Sequence, residues 1–170
     1  MTASIESAFG SRVMAAGFLL NNELTDFSFR PEVEGRPVAN RVEPGKRPRS
    51  SMDPIIVLDS RGRLALAVGS PGGSRIIGYV VKTLVATLDW GLDIQAAIDL
   101  PNVVNRNGAT DVEDGAANLA AGLAALGSDV KVGPLNSGLH GIAVTGVELI
   151  GPIGGGHHHP RLDAGNEIVG

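Results

Sequence analysis

With 170 residues, the chain is long enough for one domain with a proper core or for a piece of a larger one. It is 43% hydrophobic but only 4% aromatic, so its core must be built from Val, Ile, Leu and Ala. A net charge of -4 without a basic stripe argues against nucleic acid as a partner, and the absence of Cys excludes disulfides, thiolate metal sites and a cysteine nucleophile. No apolar run approaches the length of a membrane span. The opening MTASIESAFG lacks the basic-then-apolar pattern of a secretion signal; either the protein is cytoplasmic or the chain begins downstream of its export signal.

Met1 to Glu6 alternates like a strand with no lead-in, the pattern of a chain cut from a larger sheet. Phe18, Leu19 and Leu20 lead into Asn21 to Ser28, a polar cluster expected to form a turn held by Asx-type side-chain bonds. From Phe29 to Arg49 the composition shifts to Pro, Gly, Arg and Glu, and four prolines predict an irregular surface loop, either a mobile connector or a functional loop. Pro54 to Leu58 predicts a short strand, Ser60-Arg61-Gly62 a hairpin turn, and Arg63 to Val68 an antiparallel return strand.

The next stretch, Gly69 to Ile77, joins that strand to a helix. Ile76, Ile77, Val80, Val81, Leu84, Val85 and Leu88 recur at helical spacing, predicting a helix to about Asp89 that stops near Gly91. Two adjacent glycines, Gly72 and Gly73, sit at its start. Glycine admits backbone angles closed to other residues, and unpaired N–H groups at a helix start favour negative charge. That charge is a phosphate, a carboxylate or the oxyanion of an amide under attack; the same residues also make a plain structural turn.

Further on, Asp93 to Leu100 predicts a second helix ended by Pro101, and Val112 to Glu113 a brief strand. Gly115 to Leu126 predicts a third helix stopped at Gly127. Asp129 to Val132 and His140 to Thr145 predict strands, the latter continuing toward Ile150. The order of elements predicts a layered α+β domain over residues 1–150. Residues 151–170 form a Gly- and His-rich tail, expected to be flexible. Its His157, His158 and His159 raise a metal site only to lack neighbouring ligands, and none is assigned.

Three polar islands stand out: Asn21 to Ser28, Gly45 to Met52 and Gly69 to Ile77. Acids in the first suit a substrate ammonium, hydroxyls of Ser50 and Ser51 suit a carboxylate, and the N–H groups of Gly72 and Gly73 suit an oxyanion. Together they fit an α-amino acid unit joined through a distal acyl bond. In the motifs LLNNELTDFS (Leu19 to Ser28), GKRPRSSM (Gly45 to Met52) and GSPGGSRII (Gly69 to Ile77), the chain resembles the γ-glutamyltranspeptidases, or glutathione hydrolases, of the N-terminal-nucleophile hydrolase superfamily. The resemblance runs from Met1 to about Val144 and corresponds to the catalytic small subunit without its beginning.

The resemblance implies a partial αββα sandwich and no cofactor. It implies that Glu23 and Asp26 bind the α-amino group of a γ-glutamyl unit, that Ser50 and Ser51 bind its α-carboxylate, and that Gly72 and Gly73 form the oxyanion hole. Ser4 corresponds to a hydroxyl residue, often Thr, that supports the nucleophile, and Glu6 stands where many members have a substrate-binding Asn. The family's nucleophile is a threonine freed by self-cleavage, expected upstream of Ser4; Thr2 is too close to fill that role. The expected partners are therefore the large subunit and an N-terminal segment of the same precursor, in a periplasmic or secreted enzyme. Two other readings remain: a relative that cuts poly-γ-glutamate capsule or cephalosporin side chains, and a non-enzymatic module that binds anions or amino acids at the Gly72-Gly73 turn.

Overall fold

The computed structural model describes Ser4, residues 10–144 and residues 166–169. It divides into two compact units, Met1–Met52 and Asp53–Gly170. Of the strand expected over Met1 to Glu6, only Ser4 falls among the described residues, and it lies outside regular structure.

The first unit is built from tight turns rather than from long elements. Strands β1 (Met14–Ala15) and β2 (Phe18–Leu19) pair antiparallel through Ala16 and Gly17, both at positive φ, the geometry of a two-residue hairpin turn. The expected polar turn is a 3-10 turn over Glu23–Asp26. It opens with an Asx bond, the Glu23 N–H donating to Asn21 Oδ1 at 3.1 Å, and closes on Phe27, which is buried.

The proline-rich stretch is more ordered than its composition implies. Strands β3 (Glu32–Val33) and β4 (Arg36–Pro37) form a second hairpin across Glu34 and Gly35, again both at positive φ. Its base is fixed where Ser28 N–H donates to Asn40 O at 2.9 Å and Val38 N–H to Pro31 O at 2.9 Å. Proline scarcity of N–H donors does not forbid a hairpin whose prolines sit where no donor is needed.

The second unit is α+β. Its main sheet has the order β11-β10-β6-β5, with every neighbouring pair antiparallel: β5 (Ile55–Leu58), β6 (Leu64–Gly69), β10 (His140–Val144) and β11 (Asn166–Val169). The β5–β6 turn is locked by Asp59, whose carboxylate accepts from Arg61 N–H, Arg63 N–H and Arg63 Nε at 2.9, 2.8 and 2.7 Å. Burial raises the Asp59 pKa, but these bonds and the Arg63 charge outweigh it and hold the carboxyl below its usual range. Strand β11 departs from the expected flexible tail: its backbone takes up the free edge of β10, with Ile142 opposite Ile168. His157, His158 and His159 lie outside the described residues, as does the expected run from Thr145 toward Ile150.

Helices α1 (Ile76–Leu88) and α2 (Ile94–Asp99) follow the expected bounds. The Asp93 carboxylate caps α2 by accepting from Ala96 N–H at 2.8 Å. They pack on the sheet through two adjoining clusters, one of Val68, Ile76, Tyr79, Val80, Val104 and Leu139, the other of Leu66, Ile94 and Ala143. Each large side chain buried there contributes about 1.5–3 kcal/mol relative to exposure. The other face of the sheet is open and apolar, with Ile56 and Ile142 exposed on either side of Ala67.

A second sheet, β7-β8-β9, comprises Val103–Asn105, Thr110–Glu113 and Val130–Gly133. β7 and β8 are antiparallel; β8 and β9 are parallel, which requires a crossover, supplied by the third helical segment. That segment is not the continuous helix its composition predicts. Ala116, nearly fully buried, has φ -113 and ψ 18, so a 3-10 stretch over Asp114–Leu119 precedes a short α3 (Ala120–Ala125).

Candidate active site

The turn between β6 and α1 is built as its glycines require. Gly72 has φ 137 and Gly73 has φ 58, both in the region that disfavours side chains. Gly72 O accepts from Arg75 N–H at 3.2 Å, beginning the 3-10 turn Gly73–Arg75 that leads into α1. Neither the Gly72 nor the Gly73 N–H donates to any described residue. The two adjacent N–H groups thus stand unpaired ahead of a helix of 13 residues, where the helix dipole favours negative charge.

The two glycines are not equivalent. A Cβ on Gly72 would stand 2.6 Å from the Tyr79 ring and 3.2 Å from Asn136 O, whereas one on Gly73 would meet nothing within 4 Å. Gly72 is therefore the packed side of the turn and Gly73 the open side. Tyr79, one helical turn into α1, is fully buried, and its hydroxyl has no hydrogen-bond partner among the described residues. Burial raises its pKa, with Arg75 pulling the other way.

Charge pairs fix the helix start. Asp111 Oδ2 accepts from Arg75 Nε at 3.0 Å and Nη2 at 2.8 Å, while Arg106 Nη2 lies 3.5 Å away. Arg106 Nη1 donates to Ser74 Oγ at 2.5 Å. The arginine of the GSPGGSRII motif thus ties α1 to β8, a structural task that composition does not reveal. Midway along α1, Lys82 Nζ donates to the carbonyls of Ala97, Ile98 and Leu100 at 2.9, 3.1 and 2.8 Å, clasping the C-terminal end of α2. Burial lowers the Lys82 pKa to about 8, against the attraction of Glu113 and Asp99.

Glu23, Asp26, Ser50 and Ser51 belong to the first unit. Glu23 and Asp26 are half-buried in the 3-10 turn, and Ser51 is half-buried while Ser50 is exposed. Ser50 Oγ accepts from Met52 N–H at 3.2 Å, which leaves its O–H available to donate. Asn40 joins these two segments: its Nδ2 donates to Asp26 O at 2.7 Å, and its Oδ1 accepts from Arg49 N–H at 3.0 Å. Sequence reading does not single out Asn40, because the contact spans 14 residues and leaves no local pattern.

The basic residues of GKRPRSSM include one with a plain scaffolding role. Lys46 Nζ donates to Ala39 O at 3.0 Å and pairs with Glu43, which Arg41 also grips. The Lys46 hydrogen bond, joined by the contact and charge of Arg41, outweighs desolvation and holds the Glu43 pKa below its usual range. Ser4 is half-buried, and Glu6 lies outside the described residues. Among the described residues no three His, Asp or Glu side chains gather as metal ligands, and no helix is long and apolar enough to cross a membrane.

Comparison with known proteins places these features in context. Residues 1–158 match the sequence model of the Gamma-glutamyltranspeptidase family. The chain is 40% identical over 117 residues to a glutathione hydrolase proenzyme of Bacillus subtilis, which covers 67% of the chain and 19% of that proenzyme. Among solved structures, a T380A mutant of Helicobacter pylori gamma-glutamyltranspeptidase superposes with a TM-score of 0.71 at 34% identity, covering 85% of this chain and 83% of that one. The gamma-glutamyltranspeptidase of Pseudomonas nitroreducens complexed with L-DON gives a TM-score of 0.70 at 32% identity, covering 93% and 90%. The chain therefore spans about a fifth of the length of that proenzyme and most of the length of these two structural chains.

Proposed function

The chain belongs to the gamma-glutamyltranspeptidase family, and from that membership we propose that it supplies the substrate-holding and oxyanion-stabilising part of a γ-glutamyl hydrolase or transferase. The donor is a glutathione-like γ-glutamyl amide. Asp26 and Glu23 attract its α-ammonium, and the hydroxyls of Ser50 and Ser51 donate to its α-carboxylate. A threonine hydroxyl attacks the γ-carbonyl while the threonine's own α-amine takes the hydroxyl proton and later passes it to the leaving amine. The carbonyl oxygen takes up the negative charge, and the N–H groups of Gly72 and Gly73 donate to it. Collapse of the tetrahedral intermediate expels the amine and leaves an acyl-enzyme ester, which water or an acceptor amine then cleaves. The attacking threonine and the second polypeptide are parts of the complete enzyme that we assign to no residue of this chain. Ser4 is assigned a supporting contact to that nucleophile, and Glu6 a contact to the donor.

The observation that carries this reading is the pair of unpaired N–H groups at Gly72 and Gly73, in backbone angles that only glycine adopts without strain. Gly73 faces open space, so a substitution there perturbs the backbone of the turn without a steric collision. In the complete enzyme, Gly73→Val is expected to lower kcat for a γ-glutamyl anilide by roughly 10²–10³ with little change in KM, the loss typical of an oxyanion donor. A folded variant with parental kcat would reduce the turn to a structural one. Anion binding by the parent without any γ-glutamyl turnover would favour the non-enzymatic module.

A further inference from the structure

The turn at Gly72-Gly73 does not hold its shape alone. A segment 65 residues further along, Asn136-Ser137-Gly138, lies against it. Gly138 N–H donates to Ser70 Oγ at 3.3 Å, and the Ser70 hydroxyl donates to Pro71 O at 2.6 Å. A Cβ on Gly138 would stand 2.7 Å from Pro71 Cγ and 3.1 Å from its Cδ, so the backbone there touches the pyrrolidine ring directly. Asn136 O occupies the space beside Gly72.

The segment is itself anchored. Ser137 Oγ accepts from Asn102 Nδ2 at 3.2 Å, and the buried Asn102 donates its N–H and Nδ2 to Glu113 Oε2 at 2.7 and 2.9 Å. The His140 ring Nδ1 lies 2.7 Å from Gly138 O, and His140 pairs with Gly69 in the sheet register. A continuous set of contacts therefore runs from Glu113 through Asn102, Ser137 and Gly138 to Ser70 and Pro71, the residue before Gly72.

We propose that Gly138 is a positioning residue for the oxyanion-binding turn, setting the place of the Gly72 and Gly73 N–H groups through Pro71. The inference rests on the function proposed above. A pyrrolidine ring is rigid and cannot swing aside as a long side chain does, so a displacement of Pro71 passes into the Pro71–Gly72 peptide. Gly138 is not at positive φ, so an added methyl acts through contact rather than through backbone strain.

A matched control exists in the same unit. A Cβ on Gly141 would meet Ile94 Cγ1 and Cδ1 at 2.8 and 2.9 Å, a collision of similar size within the core of α2 and the sheet. In the complete enzyme, Gly138→Ala is expected to lower kcat for a γ-glutamyl anilide about ten- to a hundred-fold with KM within about threefold, as misplacement of a transition-state donor does. Gly141→Ala is expected to keep parental kcat while losing thermal stability. Ser137→Ala, which removes the acceptor for Asn102 without adding volume, is expected to lower kcat in the same direction by a smaller factor. Parental kcat in folded Gly138→Ala overturns the proposal, as does an equal kcat loss in Gly141→Ala. Should Gly138→Ala not fold, Ser137→Ala decides, and parental kcat there overturns it. If Gly73→Val loses kcat while these variants do not, only this inference fails; a parent enzyme without γ-glutamyl turnover removes both.

Discussion

The side-chain amide of Asn40 donates to the main-chain oxygen of Asp26 at 2.7 Å. Because the same amide accepts from Arg49 N–H, it fixes the acidic turn relative to the segment that ends in Ser50 and Ser51. The groups proposed for the two charged ends of an α-amino acid therefore share one hinge pin. Asn40→Ala removes both bonds, each worth about 1 kcal/mol. The expected result in the complete enzyme is a rise in donor KM of about tenfold or more, with a smaller change in kcat. Asn40→Asp keeps the acceptor for Arg49 but turns a carboxylate toward the Asp26 oxygen, and it is expected to recover nothing. Steady-state kinetics on both variants checks this, and an unchanged KM removes Asn40 from the positioning role.

Asp26 itself separates donor recognition from general anion binding. A charge-assisted hydrogen bond to an α-ammonium is worth about 1.5–3 kcal/mol, or roughly ten- to a hundred-fold in affinity. Asp26→Ala is therefore expected to raise KM by that factor for a γ-glutamyl donor and to leave a matched donor lacking the α-amine unaffected. A plain anion site predicts the opposite sign, since removing a nearby negative charge tightens anion binding. Equal losses for both donors would show a damaged Glu23–Asp26 turn and remove the assigned contact.

Lys82 makes stability depend on pH in a defined window. Its pKa is about 8 in the folded protein against an ordinary 10.5, lowered first by burial. Between those values the unfolded chain carries a proton on Lys82 that the folded chain has released, so stability rises with pH across the window and the penalty of burying the ammonium is fully present below pH 8. The midpoint of urea unfolding is expected to rise between pH 8 and 10 in the parent relative to Lys82→Met, which cannot titrate. Parallel pH curves for the two proteins would show that the three carbonyl contacts at Ala97, Ile98 and Leu100 stabilise the ammonium as fully as water does.

Local chemistry was legible in the sequence wherever a few neighbouring residues decide it. The strand at 63–68, apolar on both faces, the helical spacing of Ile76 to Leu88 and the glycine pair between them each specify their own geometry, and the family follows from three short motifs in fixed order. Asp93 before a helix and Pro101 after it set the bounds of α2 within a residue or so. These features rest on backbone preferences and on periodicity, which need no knowledge of the rest of the chain.

What only the tertiary structure decided are the contacts between distant segments. Asn40 reads as one polar residue in a proline-rich loop until folding sets it between Asp26 and Arg49. Nothing in the sequence marks Gly138 before its backbone meets Pro71, and Arg75 reads as a motif cation until Asp111 claims it. Strand β11 forms because β10 offers a free edge, and the expected third helix breaks because Ala116 is held in a buried, non-helical geometry. Such pairings depend on which surfaces the fold brings within a few ångström of each other, and loop closure over tens of residues leaves no periodic trace in the sequence.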